Sequence, residues 1–445
     1  MADRNIDLAQ QIIDMTLALG ADSADAIVGE SASLSLSCRK GELEDSERAE
    51  SRDLGLRAII GQKQAFVSGT AVDKDALARL AERAVDMART APDDPFCGLA
   101  EASQLAGEFP ELDLADSHEP SAEQLLNMAL ETEAAALAHD GITNTEGAGA
   151  SWGRGATALV TSNGFAGSYE STSFSLSCAV VGGEGDTMER DYASHSARHL
   201  ADLDTPHEIG TRTAERTLAR LNPRKLESRK AAVFFDPRVS ASILGHFAAA
   251  ISGAAIARGT SFLRDAMDSQ IFPETVQIID EPSRPRGLRS AGFDGEGLAM
   301  ATLAPIENGR LCHWLLDTST AKQLGLHSNG RAARGTGGPP SPSATNLYMA
   351  AGDKSPETLM AEIGTGLYVT ELIGMGVNGV TGDYSRGAAG FWIDGGEIVY
   401  PVSEITIAGN LKDMFANLTP AADLEFRRGV NAPTLLVEGM TLAGL

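Results

Sequence analysis

Two histidines four residues apart, His195 and His199, have a spacing that could assemble a metal site, because an i,i+4 pair on a helix presents both imidazoles on one face. Ser196 stands where a glutamate would follow the first of them, and Asp191-Tyr192-Ala193-Ser194 ahead of the pair reads as polar loop or helix start. His207-Glu208 opens like a zincin motif, yet Thr211 and Arg212 occupy the +4 and +5 positions where the second histidine belongs. The run Gly374-Met375-Gly376-Val377-Asn378-Gly379 spells the glycine pattern of a dinucleotide-binding turn and follows a predicted strand. Residues 380–384 read as turn and strand, so no helix N-terminus follows to hold a pyrophosphate, and these glycines fit turns or bulges better. No GxSxG elbow and no GxxxxGK[ST] loop occurs, which removes the commonest serine hydrolase and nucleoside triphosphatase signatures. Cys38, Cys97, Cys178 and Cys312 lie far apart without a CxxC pair, and are expected to be reduced and mostly buried.

Whatever chemistry the chain performs must be positioned by mixed elements. Apolar residues at Ile6, Ala9, Ile13 and Leu17 have amphipathic helix spacing. Residues 33–39 alternate Leu34, Leu36 and Cys38 on one face, and 54–60 and 64–68 continue an antiparallel meander through Lys40-Gly41 and Gly61. Asp73 caps a helix carrying Leu77, Leu80, Ala84 and Met87; Ser121 and Gln124 form a capping box for a second, ending at Asp140-Gly141. A hairpin of 158–162 and 171–181 turns through Ser162-Asn163-Gly164, and 211–221 is a third amphipathic helix. The basic, proline-containing stretch 221–230 marks a domain boundary, giving an N-terminal α+β domain over 1–225 and a C-terminal domain over 226–445. Beyond it come a strand at 231–235, a small-residue helix at 240–257 and β-rich sequence; the Gly/Pro-rich stretch 331–342 is expected to be an exposed loop. Segregated strands and helices favour the α+β class, with antiparallel sheet and few helices in the C-terminal domain.

At 445 residues the chain exceeds what one hydrophobic core usually serves. A formal charge of −25, from 61 acidic against 36 basic residues, works against direct nucleic-acid binding, where Lys and Arg must neutralise phosphates. No run of about 18 apolar residues occurs, and the first twenty residues lack the apolar core of a signal peptide. A cytoplasmic location is therefore expected.

The densest glycine punctuation lies in residues 366–415. Strands are predicted at 367–373, 389–393 and 397–402, with turns at Asn378-Gly379, Thr381-Gly382-Asp383 and Asp394-Gly395-Gly396. The runs GLYVTELIGMGVN, TGDYSRGAAGFWI and YPVSEITIAGNLKDMF within this block resemble the TldD/PmbA family, on its PmbA (TldE) branch. Ser162-Asn163-Gly164, Phe235-Asp236-Pro237, 259–263 (GTSFL) and Ala344-Thr345-Asn346-Leu347-Tyr348 carry the resemblance further.

In the TldD branch the resemblance implies a zinc peptidase with two histidine ligands from HExxxH, a cysteine ligand near the C-terminus, and the glutamate as general base. Five-residue spacing puts two helical side chains about 140° apart, so a widened turn is needed for both to face one metal. Here the matching helix places His246 at the first histidine, Phe247 at the glutamate and Ile251 at the second histidine, and no cysteine lies beyond Cys312. The resemblance thus implies a non-catalytic subunit with no cofactor of its own. Zinc is expected in a TldD-like HExxxH partner, and unfolded peptide is the expected substrate of the pair, as in peptide-antibiotic maturation or antitoxin removal. The alternative is a stand-alone homodimeric regulatory protein of the gyrase-modulator type, without proteolysis. Glu371, Asn378, Asp383, Tyr384 and Arg386 are the candidate cleft-lining residues, each of which could equally stabilise a turn.

Overall fold

Alternating apolar residues in the N-terminal half build one six-stranded sheet, and amphipathic helices cover one of its faces. The computed structural model describes residues 2–444. In chain order this half contains α1 (Ala2–Ala18), β1 (Ser23–Arg39), β2 (Glu42–Ile60), β3 (Lys63–Gly69), α2 (Lys74–Thr90), α3 (Ala122–Leu137), β4 (Ile142–Thr161), β5 (Ala166–Gly182), β6 (Glu189–Ala197) and α4 (Pro206–Ala219). The strand order is β3-β2-β1-β4-β5-β6, antiparallel throughout. Ala24, Ala26 and Val28 of β1 pack under Ile12 and Ile13 of α1 and Ala81 and Val85 of α2, while Ile27 points to the opposite face. That face meets Phe293 from the second half of the chain.

The expected caps form, with local corrections. Asp73 accepts from the Ala76 amide and Ser121 from the Gln124 amide. Gln124 does not close the box, because its side chain contacts His118 instead. Met87 is exposed, and Ala81, Val85 and Ala88 complete the buried face of α2. The helix expected over 211–221 begins at Pro206, where Thr205 and Glu208 make a reciprocal capping box and Pro supplies the first turn.

The distal part of the β1–β2 hairpin is bare. Residues 42–51 are exposed on both faces, and β3 pairs only with Leu54–Ile60, so the outer edge of β2 from Glu42 to Asp53 has no neighbouring strand among the described residues.

The C-terminal half contains β7 (Arg229–Phe235), α5 (Pro237–Ala250), α6 (Gly253–Ala257), β8 (Ile278–Asp280), β9 (Leu303–Glu307), β10 (Arg310–Leu311), α7 (Thr318–Leu324), β11 (Ala332–Ala333), β12 (Ser341–Pro342) and β13 (Leu347–Met349). It continues with α8 (Pro356–Ile363), β14 (Gly366–Ile373), β15 (Asp383–Asp394), β16 (Glu397–Asn410), α9 (Leu411–Ala416), β17 (Leu418–Pro420), β18 (Val430–Asn431) and β19 (Leu435–Ala443). Its main sheet runs β16-β15-β14-β7-β19-β17, and an additional β16–β19 pairing closes the first five strands into a ring. Most pairings are antiparallel as expected. β7–β14 and β13–β18 run parallel, which is possible because long crossovers separate the partners in sequence. The helix expected over 240–257 is two helices, broken at Ile251-Ser252.

Buried ion pairs join the halves. Asp25 of β1 lies between Arg57 of β2, whose Nε donates at 2.7 Å, and Arg334 from the 331–342 loop; all three side chains are at most 5 % exposed. Arg331 is equally buried against Asp280. The stretch expected to be an exposed loop is therefore anchored at its start, because guanidiniums can be buried where carboxylates wait for them. Gly55 admits the same loop: a Cβ there would lie 2.3 Å from the Thr336 carbonyl oxygen.

Removing Asp25 leaves two buried guanidiniums without a counter-ion, so Asp25→Ala should cost about 3–5 kcal/mol in urea unfolding. Beside Arg57, burial and then neighbouring Asp294 push the Glu296 carboxyl up to about 7. A carboxyl raised on folding binds its proton more tightly in the native state, so its contribution is present below the unfolded value of 4.5 and lost as pH rises through about 7. Glu296→Gln should raise stability at pH 8 by roughly 2–3 kcal/mol and change it little at pH 4. Urea midpoints across that range check the sign.

Candidate functional site

Asp236 accepts from the Arg238 amide and Pro237 occupies the first turn, so α5 starts firmly; Ser240, Ile243, Leu244, Phe247 and Ala250 then repeat at helical spacing into the core. Phe247 packs edge to face against the stacked rings of Phe272 and Phe415, at centroid distances of 5.6 and 6.1 Å. Ile251 is fully buried at the helix C-cap, where its amide donates to the Phe247 carbonyl. The helix keeps its regular ladder up to that point, so there is no widened turn bringing positions 246 and 251 to one face. Ser261 closes the helix end by donating to the Ala250 carbonyl at 2.6 Å.

His246 stands on a different face, half-buried. Its Nε2 is buried without a hydrogen-bond partner among the described residues, and the same holds for the Tyr384 hydroxyl. The two rings meet edge to face at 6.0 Å. Burial, followed by the nearby Arg386 cation, lowers the His246 pKa, and burial raises that of Tyr384. Arg386 makes no ion pair among the described residues; its Nε donates only to the Ile373 carbonyl, at 3.4 Å. The cluster therefore offers a neutral imidazole, a phenol and a free guanidinium. It can hold a polar group, but among the described residues no carboxylate stands beside His246 to activate water.

The five candidate cleft residues divide. Tyr384 and Arg386 join His246. Glu371 instead pairs with Arg220 at 2.6 Å, tying β14 to the end of α4. Asn378 accepts from the Val380 and Thr381 amides, and Asp383 accepts from Thr381 and Asn410, so both finish a turn. The glycine run preceding them also serves sheet geometry. Gly374 has φ +81°, and a Cβ on Gly376 would lie 2.0 Å from the Ser385 carbonyl oxygen. Beside this turn Ile373, Met375 and Val380 are exposed, Met375 by 88 %.

The residues present do not fit a zinc ion. At the three aligned positions only His246 offers a donor, while Phe247 and Ile251 are hydrocarbon packed into the core, and zinc requires at least three protein ligands. Among the described residues no group of three or more His, Cys, Asp or Glu side chains could hold a metal ion. His195 and His199 are not helical neighbours: His195 lies in β6 with Nδ1 accepting from the Asp204 amide, and His199 follows that strand with Nε2 at 3.2 Å from Asp113. Glu208 is consumed by its capping box.

Sequence inspection missed a second concavity between the halves, lined by Arg212, Arg216, Arg238, Arg427 and Arg428. The available signal was the Arg427-Arg428 doublet in a chain with few cations.

Comparison with known proteins gives a consistent picture. Family models for the PmbA/TldA metallopeptidase match as domain 1 over residues 24–88, the central domain over 115–221 and the C-terminal domain over 228–444. Metalloprotease PmbA of Escherichia coli O157:H7 is 41% identical over 425 residues, spanning 95% of this chain and 92% of the relative. A PmbA homolog from Haemophilus influenzae is 37% identical over the same shares. Among solved structures, a proposed modulator of DNA gyrase from Bacteroides thetaiotaomicron superposes with a TM-score of 0.91 at 27% identity, covering 100% of this chain and 99% of that one. TldE from Thermococcus kodakarensis shares the fold, with a TM-score of 0.88 at 20% identity over 98% of this chain and all of that one.

Because Arg386 helps to depress the His246 pKa, Arg386→Ala should raise it towards the ordinary histidine value. The imidazole C–H resonance followed through a pH titration by NMR reads the shift; an unmoved titration would leave burial as the sole cause.

Proposed function

The chain belongs to the PmbA/TldD metallopeptidase family, on its PmbA (TldE) branch, and from that premise we propose that it is the zinc-free partner subunit of a two-chain peptidase. The observation that carries this is the packing of α5: the positions of the base and the second ligand hold Phe247 and Ile251, both fully buried. Restoring a site there would require opening the core. A TldD-like chain with an intact HExxxH helix would supply the zinc, which polarises a water for attack on the peptide bond. This chain would help to enclose the cleft and hold an extended, unfolded peptide. The His246–Tyr384–Arg386 cluster and the exposed Ile373–Met375 turn are its contribution to that cleft, offering polar and apolar contact with little demand on sequence.

We also read the chain as two domains, 1–225 and 226–445, supported by sheets that share no strands across residues 222–228. A cytoplasmic location suits the four unpaired cysteines, Cys38, Cys97, Cys178 and Cys312. Among the described residues no helix is long and apolar enough to cross a membrane.

Co-expression with a HExxxH-bearing homologue from the same genome tests the proposal. The pair should copurify, carry zinc in the other chain, and cut an unfolded peptide that neither chain cuts alone. Stoichiometric zinc in the isolated chain, or a zinc-loaded pair that leaves unfolded peptides intact, would overturn it. Arg386→Ala should lower kcat/KM of the pair by about tenfold, roughly 1.4 kcal/mol, without changing the circular dichroism of the chain.

A further inference from the structure

We infer that the cleft between the two halves is an oxyanion-binding site, shaped for the terminal carboxylate of a peptide or for phosphate. The cavity has a volume of about 570 Å³ and continues into a neighbouring lobe that shares His195, Arg427 and Arg428. Its walls come from β6 and α4 on one side and from the start of α5 and residues 423–432 on the other.

Pairing within the cleft leaves two guanidiniums without a direct carboxylate contact among the described residues. Asp236 is engaged by the Arg238 amide and the Tyr368 hydroxyl, Asp423 by the Thr434 amide and hydroxyl, and Glu425 by Arg427. Arg238 is fixed by Asp191 at 2.8 Å and Arg212 by Asp204 at 2.8 Å. Arg216 and Arg428 have no carboxylate partner among the described residues. Arg216 donates only to the Tyr192 carbonyl, at 3.3 Å, and Arg428 only to the Arg238 carbonyl, at 3.1 Å. Burial, and then the neighbouring Arg238 cation, push Arg216 down to about 10. Asp236 and Asp191 offset this only in part and neither touches the guanidinium, so its planar fork is free to meet a carboxylate or phosphate. His195 supplies a further donor: with Nδ1 accepting from the Asp204 amide, the neutral ring carries its proton on Nε2. In a chain of net charge −25 the overall field repels anions, so retention has to come from such a local arrangement.

Titration calorimetry on the full chain tests this, using inorganic phosphate and an unstructured pentapeptide as free acid and as amide. At least one oxyanion should bind, and Arg216→Gln and Arg428→Gln should each weaken it tenfold or more. A free acid binding more than tenfold tighter than its amide assigns the terminal carboxylate; phosphate binding, with both peptides inert, assigns phosphate. Arg216→Lys should recover part of the affinity. Without ligand, Arg216→Gln should leave the thermal midpoint unchanged or raise it, since it removes a half-buried cation that makes no ion pair. Absence of binding, affinity unchanged in both glutamine variants, or a lowered midpoint in Arg216→Gln would overturn the assignment. None of these outcomes depends on peptidase activity, so the site stands or falls separately from the partner-subunit proposal.

Discussion

The contact between Asp25 and the guanidiniums of Arg57 and Arg334 is the constraint on which the arrangement of the halves rests. A carboxylate buried in a sheet is unfavourable by itself, and two arginines buried beside it are worse; only together do they fit the interior. One of those arginines arrives from a loop some three hundred residues away in sequence, so the first sheet's inner face is complete only when the C-terminal half has docked. Further seam contacts use the same chemistry. Arg238 reaches Asp191, Arg220 reaches Glu371, Arg427 reaches Asp204 and Arg286 reaches Asp113 and Asp202. An acidic chain spends much of its scarce positive charge internally, which leaves its outside strongly negative.

How much of this was legible depended on how local the determining interaction was. Hairpins at 33–68 and 158–181 and the caps at Asp73 and Ser121 follow from neighbouring residues, and they form. The loop after Arg331 reads as exposed because arginine and glycine usually are; Asp25 and Asp280, its distant partners, cannot be inferred from it. Helix α4 begins earlier than its apolar pattern suggests because Thr205 and Pro206 start it with polar chemistry. At the candidate site, Tyr384 and Arg386 belong to an outlying cluster with His246, whereas Glu371, Asn378 and Asp383 are occupied elsewhere. Residues of one short segment alternate across β15 and its turn, and spacing alone does not tell which face meets α5.

The segments that carry the family resemblance turn out to be joints. Asp236 caps α5 and accepts from Tyr368; Ser261 closes the far end of the same helix; Thr345 binds Asp280 while that carboxylate holds Arg331; Asn346 links Ser290 with the Glu281 carbonyl. Such residues are under constraint from the architecture whether or not a metal is bound nearby. In the block at 366–415 the same holds for Tyr368, which ties β14 to the start of α5, the helix that buries Phe247.

The bare margin of β2 has a colloidal consequence. From Glu42 to Ser51 it exposes five acidic side chains and one basic one along unpaired backbone groups. Two copies approaching margin to margin would confront like with like, and each added strand would deepen the repulsion. At high concentration the molecule is thereby protected against stacking into fibrils through the very surface geometrically best suited to start one.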